Sequence, residues 1–226
     1  MRDLKILTYD IETNGVNALY ADLGFVTVFG YKWLHESKAH AFKVSDYPLF
    51  KKNIHSDKAV LTDAIAVMNQ ADVLIAHYGN KFDRPFLNGR FMLNGLNPPS
   101  PDIKQIDTCI LSWKKFKFRS NHLKDLARNF GCENLKQEKG TGWPNWWHNS
   151  MRGDKKAISF MAQYCIHDVL ALEEIALKMR PYWPKFLQTV HEECPTCKSE
   201  NTQKRGFHNT ITAQFQRYSC QDCGGW

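Results

Sequence analysis

Tyr164-Cys-Ile-His-Asp168, inside the run from Met161 to Ile175, is the stretch whose reading decides the fold. Apolar residues recur there at helical spacing, and the stripe Met161, Cys165, Asp168, Leu172, Ile175 puts a carboxylate on the face that a helix turns towards a core. A lone acid is costly to bury in such a place. The candidate partners, Asp10 and Glu12 in Tyr9-Asp-Ile-Glu-Thr13 and Asp83 in Asn80-Lys-Phe-Asp-Arg-Pro85, are acids as well, so they repel Asp168 rather than neutralise it. Divalent cations remove the conflict. Tyr164 stands one helical turn before Asp168 on the same face.

Asp10 and Glu12 lie two apart in a segment that alternates as a strand over residues 4–13. Their side chains therefore share one face, about 6–7 Å apart along the chain, and Leu7, Tyr9 and Ile11 take the other. Taken alone, Asp-x-Glu reads as the solvated face of an edge strand. Asp83, just ahead of Arg84-Pro85, reads as a helix N-cap. Neither explanation extends to Asp168.

Working outward, Phe25–Leu34 reads as a second strand paired with the first, and Phe42–Val44 as the start of a third. A helix is expected from Asp57 to Asn69 and a short buried strand from Val73 to His77. Another helix runs from Asp83 or Arg84 to Met92, stopped by Asn94-Gly95 and Pro98-Pro99. Ile106–Leu111 reads as a strand, and Asn121 or His122 to Phe130 as a helix closed by Gly131. The least regular stretch is Lys136–Gly153, with an aromatic-rich loop of Trp143, Trp146, Trp147 and His148. A long helix from Asp154 to Lys178 ends at Arg180-Pro-Tyr-Trp-Pro184. Leading strands, interleaved helices and one closing helix imply an α/β sheet flanked by helices.

In their order and spacing, Tyr9-Asp-Ile-Glu-Thr13, His77-Tyr-Gly-Asn-Lys-Phe-Asp83 and Tyr164-Cys-Ile-His-Asp168 resemble the motifs of the DEDD 3′-to-5′ exonucleases. The Tyr-x-x-x-Asp spacing marks the tyrosine subclass; the histidine subclass has His where this chain has Gln163. Ile106-Asp-Thr108 and Leu123-Lys-Asp-Leu-Ala-Arg-Asn-Phe-Gly131 are similar to the family's middle strand and helix, and Trp147–Asp154 to its standalone branch. The resemblance implies an RNase H-like mixed sheet over residues 1–186. It implies two Mg²⁺ or Mn²⁺ ions held by Asp10, Glu12, Asp83 and Asp168, with Tyr164 orienting the attacking water. Hard oxygen donors suit those ions. His167, one residue before Asp168, is given no role.

Composition bounds the remainder. The 226 residues, 43% hydrophobic, suffice for one full domain and a small appendage, and the apolar runs are too short to span a bilayer. With no signal-peptide pattern at Met-Arg-Asp-Leu-Lys, an intracellular, cytoplasmic location is expected. The net charge of +7 permits an anionic partner, and since charges balance from His191 onward, the excess lies before it. Cys109, Cys132 and Cys165 read as small buried hydrophobes. Cys194-Pro-Thr-Cys197 and Cys220-Gln-Asp-Cys223, with 22 residues between the pairs, read as a four-thiolate structural zinc site in a small ribbon over 187–226.

Trp113-Lys-Lys-Phe-Lys-Phe-Arg119 interleaves cations and rings as a single-strand groove does, although the same pattern suits rings packed inward under solvated lysines. Trp113, Lys114, Lys115, Lys117 and Arg119, together with Asn80, are the expected substrate contacts. Ribbon residues Lys204, Arg205, Phe207, Phe215, Arg217 and Tyr218 suit nucleic acid, or a replication or repair protein docked there. The function expected is release of nucleoside 5′-monophosphates from single-stranded or frayed DNA 3′ ends. The alternatives are an RNA 3′-end trimming nuclease of the same fold and a catalytically silent adaptor acting through the ribbon.

Overall fold

A computed structural model describes residues 4–34, 36–134, 143–184, 194, 196–197, 199–209 and 214–225. Strand β1 (Ile6–Gly15) pairs antiparallel with β2 (Gly24–Trp33), and β3 (His40–Lys43) pairs antiparallel with β2. Helix α1 (Lys58–Met68) leads to β4 (Val73–Ala76), parallel to β1, and α2 (Asp83–Leu93) leads to β5 (Lys104–Asp107), parallel to β4. The sheet order is β3-β2-β1-β4-β5, which leaves β1 in the middle. Helices α3 (Thr108–Lys115), α4 (Leu123–Asn129), α5 (Trp143–Met151) and the 24-residue α6 (Lys155–Lys178) complete this part.

Alternation along β1 sets the layers. Leu7, Tyr9 and Ile11 join Phe29, four buried residues of α1 and Phe86, Leu87 and Phe91 of α2 in the larger core. The other face of the sheet is covered by α6, which lies across β1 to β4 with α4 and α5 beside it. At the Glu12/Thr13 step the register with β2 shifts, so that Val28 faces Glu12, Val26 faces Thr13 and Thr27 is the extra residue of a β-bulge. Val26 consequently belongs to the α1/α2 core, whereas Val28 packs with Met161, Ala162 and Cys165 of α6.

Three contacts fix α6. Gly30 lies opposite Asp10, and a Cβ there would stand 2.6 Å from the Cys165 Sγ, so its lack of a side chain allows the helix to approach. Lys32 on β2 forms a nearly buried ion pair with Glu173 at 2.5 Å. Asp154 caps the start, accepting from the N–H groups of Lys156 and Ala157. Across the sheet, the wholly buried Asp57 takes two bonds from Arg90 and one from the Val26 N–H, tying α1, α2 and β2 together.

Two sequence expectations are corrected. Residues 106–111 are not one strand: Asp107 accepts from the N–H groups of Cys109 and Ile110, so the chain turns into α3 at Thr108 despite its apolar run. The expected aromatic loop is helix α5, in which the Trp147 indole donates to the Thr13 carbonyl at 3.4 Å and Trp146 stacks on Phe160. The Trp143 side chain and residues 135–142 lie outside the described residues.

A second unit follows Met179. Its strands β6 (Thr202–Asn209) and β7 (Gln214–Cys220) form an antiparallel pair with a register shift between Lys204 and Phe207. No helix among the described residues is long and apolar enough to cross a membrane.

Candidate metal centre

Three carboxylates meet where α6 crosses β1. One oxygen each from Asp10, Glu12 and Asp168 lies within 4.8 Å of the others. At an effective dielectric of about 20, two like charges at that separation repel by about 3–4 kcal/mol. Asp168 is buried on the same α6 face as Met161, Cys165, Leu172 and Ile175, as its stripe requires, and the buried Tyr164 stands one turn before it.

Asp83 comes from the opposite layer. It is the first residue of α2, whose N-cap is Phe82. Its carboxyl is held well above the ordinary carboxylate range, chiefly by burial and then by the charge of Asp10, while a hydrogen bond from the Ile11 backbone opposes the shift. The side chain is therefore engaged with β1, which the capping explanation does not account for. The β1–β4 pairing ends at Thr8 and Ile75, so β1 continues past β4 and offers this crevice to the start of α2.

Cys165, read from sequence as a buried hydrophobe, also contributes. Its thiol donates towards the carbonyl and carboxylate of Asp10, each at 3.5 Å. Burial, then Asp10, Glu12 and Asp168, push its pKa far up, so it remains a neutral thiol beside the acids. The donors available for a metal are therefore carboxylate oxygens, clustered so closely that their charges oppose one another. That set fits hard divalent cations of the magnesium and manganese type.

Beside this centre, Asp107 accepts four backbone N–H bonds: from Tyr78 and Asn80 in the β4–α2 turn, and from Cys109 and Ile110 in α3, all at 2.9–3.1 Å. The clamp holds Tyr78 at φ 62°, a left-handed conformation that costs a residue with a side chain about 1–2 kcal/mol. Gly79 follows, where a Cβ would lie 2.3 Å from that of Ala76. Asn80 accepts from the Gln105 side-chain amide, and Gln105 in turn accepts from the Tyr9 hydroxyl. This anchoring of Asn80 and the role of Asp107 leave no mark in local sequence beyond Asp-Thr at a strand end.

The 113–119 segment divides between its two readings. Phe116 and Phe118 each pack on Phe130 with ring centroids 5.8 Å apart and on each other at 5.3 Å, as the inward-packing explanation expects. Trp113, 52% exposed, meets the exposed Tyr78 edge-to-face at 5.8 Å. Trp113 and Arg119 line a groove of about 780 Å³ with His77, Tyr78, His122 and Lys124, and Lys114, Lys115 and Lys117 are exposed.

Residues 7–180 match the RNase H superfamily along this five-stranded sheet and its acids. The chain belongs to that superfamily. Among solved structures, this superfamily member is similar to the family B DNA polymerase of the hyperthermophilic archaeon Pyrobaculum calidifontis, with a TM-score of 0.59 and 18% identity. The match covers 80% of this chain and 25% of the polymerase, so the RNase H-like part spans about a quarter of that protein's length. A search of curated proteins finds no match.

In the second unit of this superfamily member, the sulfurs of Cys194, Cys197, Cys220 and Cys223 also lie within 4.8 Å of one another. The Cys194–Cys223 and Cys197–Cys220 pairs are 3.4 and 3.6 Å apart, near the edge of about 3.8 Å expected for a tetrahedron of thiolates around zinc. The N–H groups of Thr196 and Asp222 point to the sulfurs of Cys194 and Cys220 at 3.4 Å. Backbone hydrogen bonds led by that of Cys197 bring the Cys194 thiol down to about 6. Lys204, Arg205, Phe207, Arg217 and Tyr218 are exposed, and the Phe215 side chain lies outside the described residues.

Proposed function

We propose that this chain is a metal-dependent 3′-to-5′ exonuclease of the tyrosine subclass, acting on single-stranded or frayed DNA ends and releasing nucleoside 5′-monophosphates. The observation that carries the reading is the convergence of the Asp10, Glu12 and Asp168 carboxylates, with the buried Asp83 at the start of α2 as the fourth acid. Acids drawn from β1, α2 and α6 serve no packing purpose, and their mutual repulsion disfavours the folded state until cations join them.

Two hard divalent cations held there would lower the pKa of bound water and neutralise charge gathering on the scissile phosphate. Asp10, lying between Asp83 and the Glu12/Asp168 pair in its interactions, is the residue suited to serve both ions. Tyr164 orients the attacking water through its hydroxyl; a phenol is a poor base at neutral pH, so acidifying that water falls to the metal ions. Cys165 keeps its proton and steadies Asp10. The catalytic domain is residues 1–186, and residues 187–226 form a ribbon whose four cysteines hold one structural zinc.

End-labelled oligonucleotides with Mg²⁺ or Mn²⁺ test this reading. A 5′-labelled single strand should give a ladder of shortening products, and a 3′-labelled one should lose its label at the first cut. A blunt duplex should react more slowly, because its end must fray first. Matched DNA and RNA strands decide the sugar preference. Cleavage of a covalently closed single-stranded circle would overturn the proposal in favour of an endonuclease.

A further inference from the structure

We infer that the groove between the β4–α2 turn and the α3–α4 segment seats an unpaired base of the substrate strand upstream of the cut, against the Tyr78–Trp113 pair. The inference rests on the proposed nuclease reading and adds the reason why a single strand is preferred.

Tyr78 and Trp113 are large rings left in solvent together, edge to face at 5.8 Å. Tyr78 is the single described non-glycine residue at positive φ, and the turn that keeps it there is fixed from several directions. Asp107 accepts from the N–H groups of Tyr78 and Asn80, the Tyr78 carbonyl accepts from Lys81 and Phe82, and Gly79 packs where a Cβ has no room. A strained residue so restrained, whose side chain contributes little to the core, marks a surface whose shape matters.

The other groove residues supply the complementary chemistry. Arg119, His122 and Lys124 stand with the two rings, and none of the described lining residues is acidic. The volume of about 780 Å³ lies within the range of about 300–1,000 Å³ usual for small-ligand sites. Rings for base faces and cations for phosphates are what an unpaired strand requires, whatever its sequence. In a duplex the base faces are covered by stacking, so the site discriminates by form.

Position links the groove to the acids. Strands β1, β4 and β5 are parallel, so the ends of β4 and β5 at Ala76 and Asp107 lie on the same edge of the sheet as Asp10 and Glu12. The turn bearing Tyr78 runs straight into Asp83 at the start of α2. A strand with its last phosphate at Asp10 would meet this turn if it leaves along that edge of the sheet.

The test uses the full chain and single strands carrying 2-aminopurine at one successive position from the 3′ end, with a nuclease-resistant phosphorothioate at the last linkage. For the wild-type protein, quenching on binding should peak at one internal position. Trp113→Ala should remove that peak and raise Kd roughly 5- to 150-fold, the span of one base–aromatic stack, and Trp113→Phe should recover most of it. Tyr78→Gly removes a ring while relaxing the backbone, so it should fold at least as well as wild type and still lose quenching. Uniform quenching along the strand, Kd values within twofold of wild type for both variants, or equal quenching in a blunt duplex would overturn the inference. The two readings fail separately. Quenching without hydrolysis of the unmodified strand removes the exonuclease assignment alone, and hydrolysis without a quenching peak removes the groove alone.

Discussion

Gly30→Ala tests how the acids are brought together. The added Cβ would stand 2.6 Å from the Cys165 Sγ and 3.4 Å from Val169 Cγ2, both on buried α6 residues. Ordinary contact needs about 1 Å more than the closer of these, so either α6 lifts from β2 or the thiol turns away from Asp10. Overpacking of this kind costs about 1–3 kcal/mol, equivalent in a domain of this size to a Tm lower by roughly 3–10 °C. Gly30 pairs with Asp10, so the lift separates Asp168 from Asp10 and Glu12. A displacement near 1 Å at a reacting centre is commonly worth about 100-fold in rate. The assay is thermal unfolding with EDTA or Mn²⁺, together with initial hydrolysis rates. Gly30→Ala should lose more activity than stability and respond less to Mn²⁺, and adding Cys165→Ala, which removes the clashing sulfur, should restore the stability. A Gly30→Ala protein with wild-type rate and metal response would refute the claim that this contact sets the site.

Tyr164→Phe keeps the ring and removes the hydroxyl, so kcat should fall while Kd for a single strand stays near wild type, as single-turnover kinetics and equilibrium binding can separate. Asp107→Ala leaves four backbone N–H groups without their acceptor in a buried place and should cost several kcal/mol in denaturant unfolding, with hydrogen exchange rising at Tyr78, Asn80, Cys109 and Ile110. Elemental analysis should find one zinc per chain, lost when Cys194 and Cys197 are replaced, with basal nuclease activity retained because the four acids precede the ribbon.

The parts of the molecule that depend on one-face periodicity were legible in the sequence. The alternation of β1 separated Leu7, Tyr9 and Ile11 from the acids, and the α6 stripe placed Asp168 inside, because burial of one face is encoded locally. The features that escaped depend on distant partners. The bulge at Thr27 is a register property of two strands, and the approach at Gly30 requires knowing that Cys165 lies above it. Helix α3 begins where Asp107 caps it, against the strand-like run Ile106–Leu111. Trp147 reads as a loop residue from sequence because its partner, the Thr13 carbonyl, is 134 positions away. Asp83 had a sufficient local explanation as a cap, whereas in the fold it is a buried first residue of α2, whose N-cap is Phe82.

Hydrolysis of a 5′-labelled single strand across a Mn²⁺ titration, by wild type and by a folded Asp168→Asn protein, tests the central claim most directly. Wild-type rate should rise and saturate with Mn²⁺. Asp168→Asn should show no turnover above background, and in EDTA it should melt at or above the wild-type temperature, because one of three mutually repelling charges within 4.8 Å has gone. Near-normal, Mn²⁺-dependent turnover by a verified folded Asp168→Asn protein would contradict the assignment of these acids as the catalytic metal site.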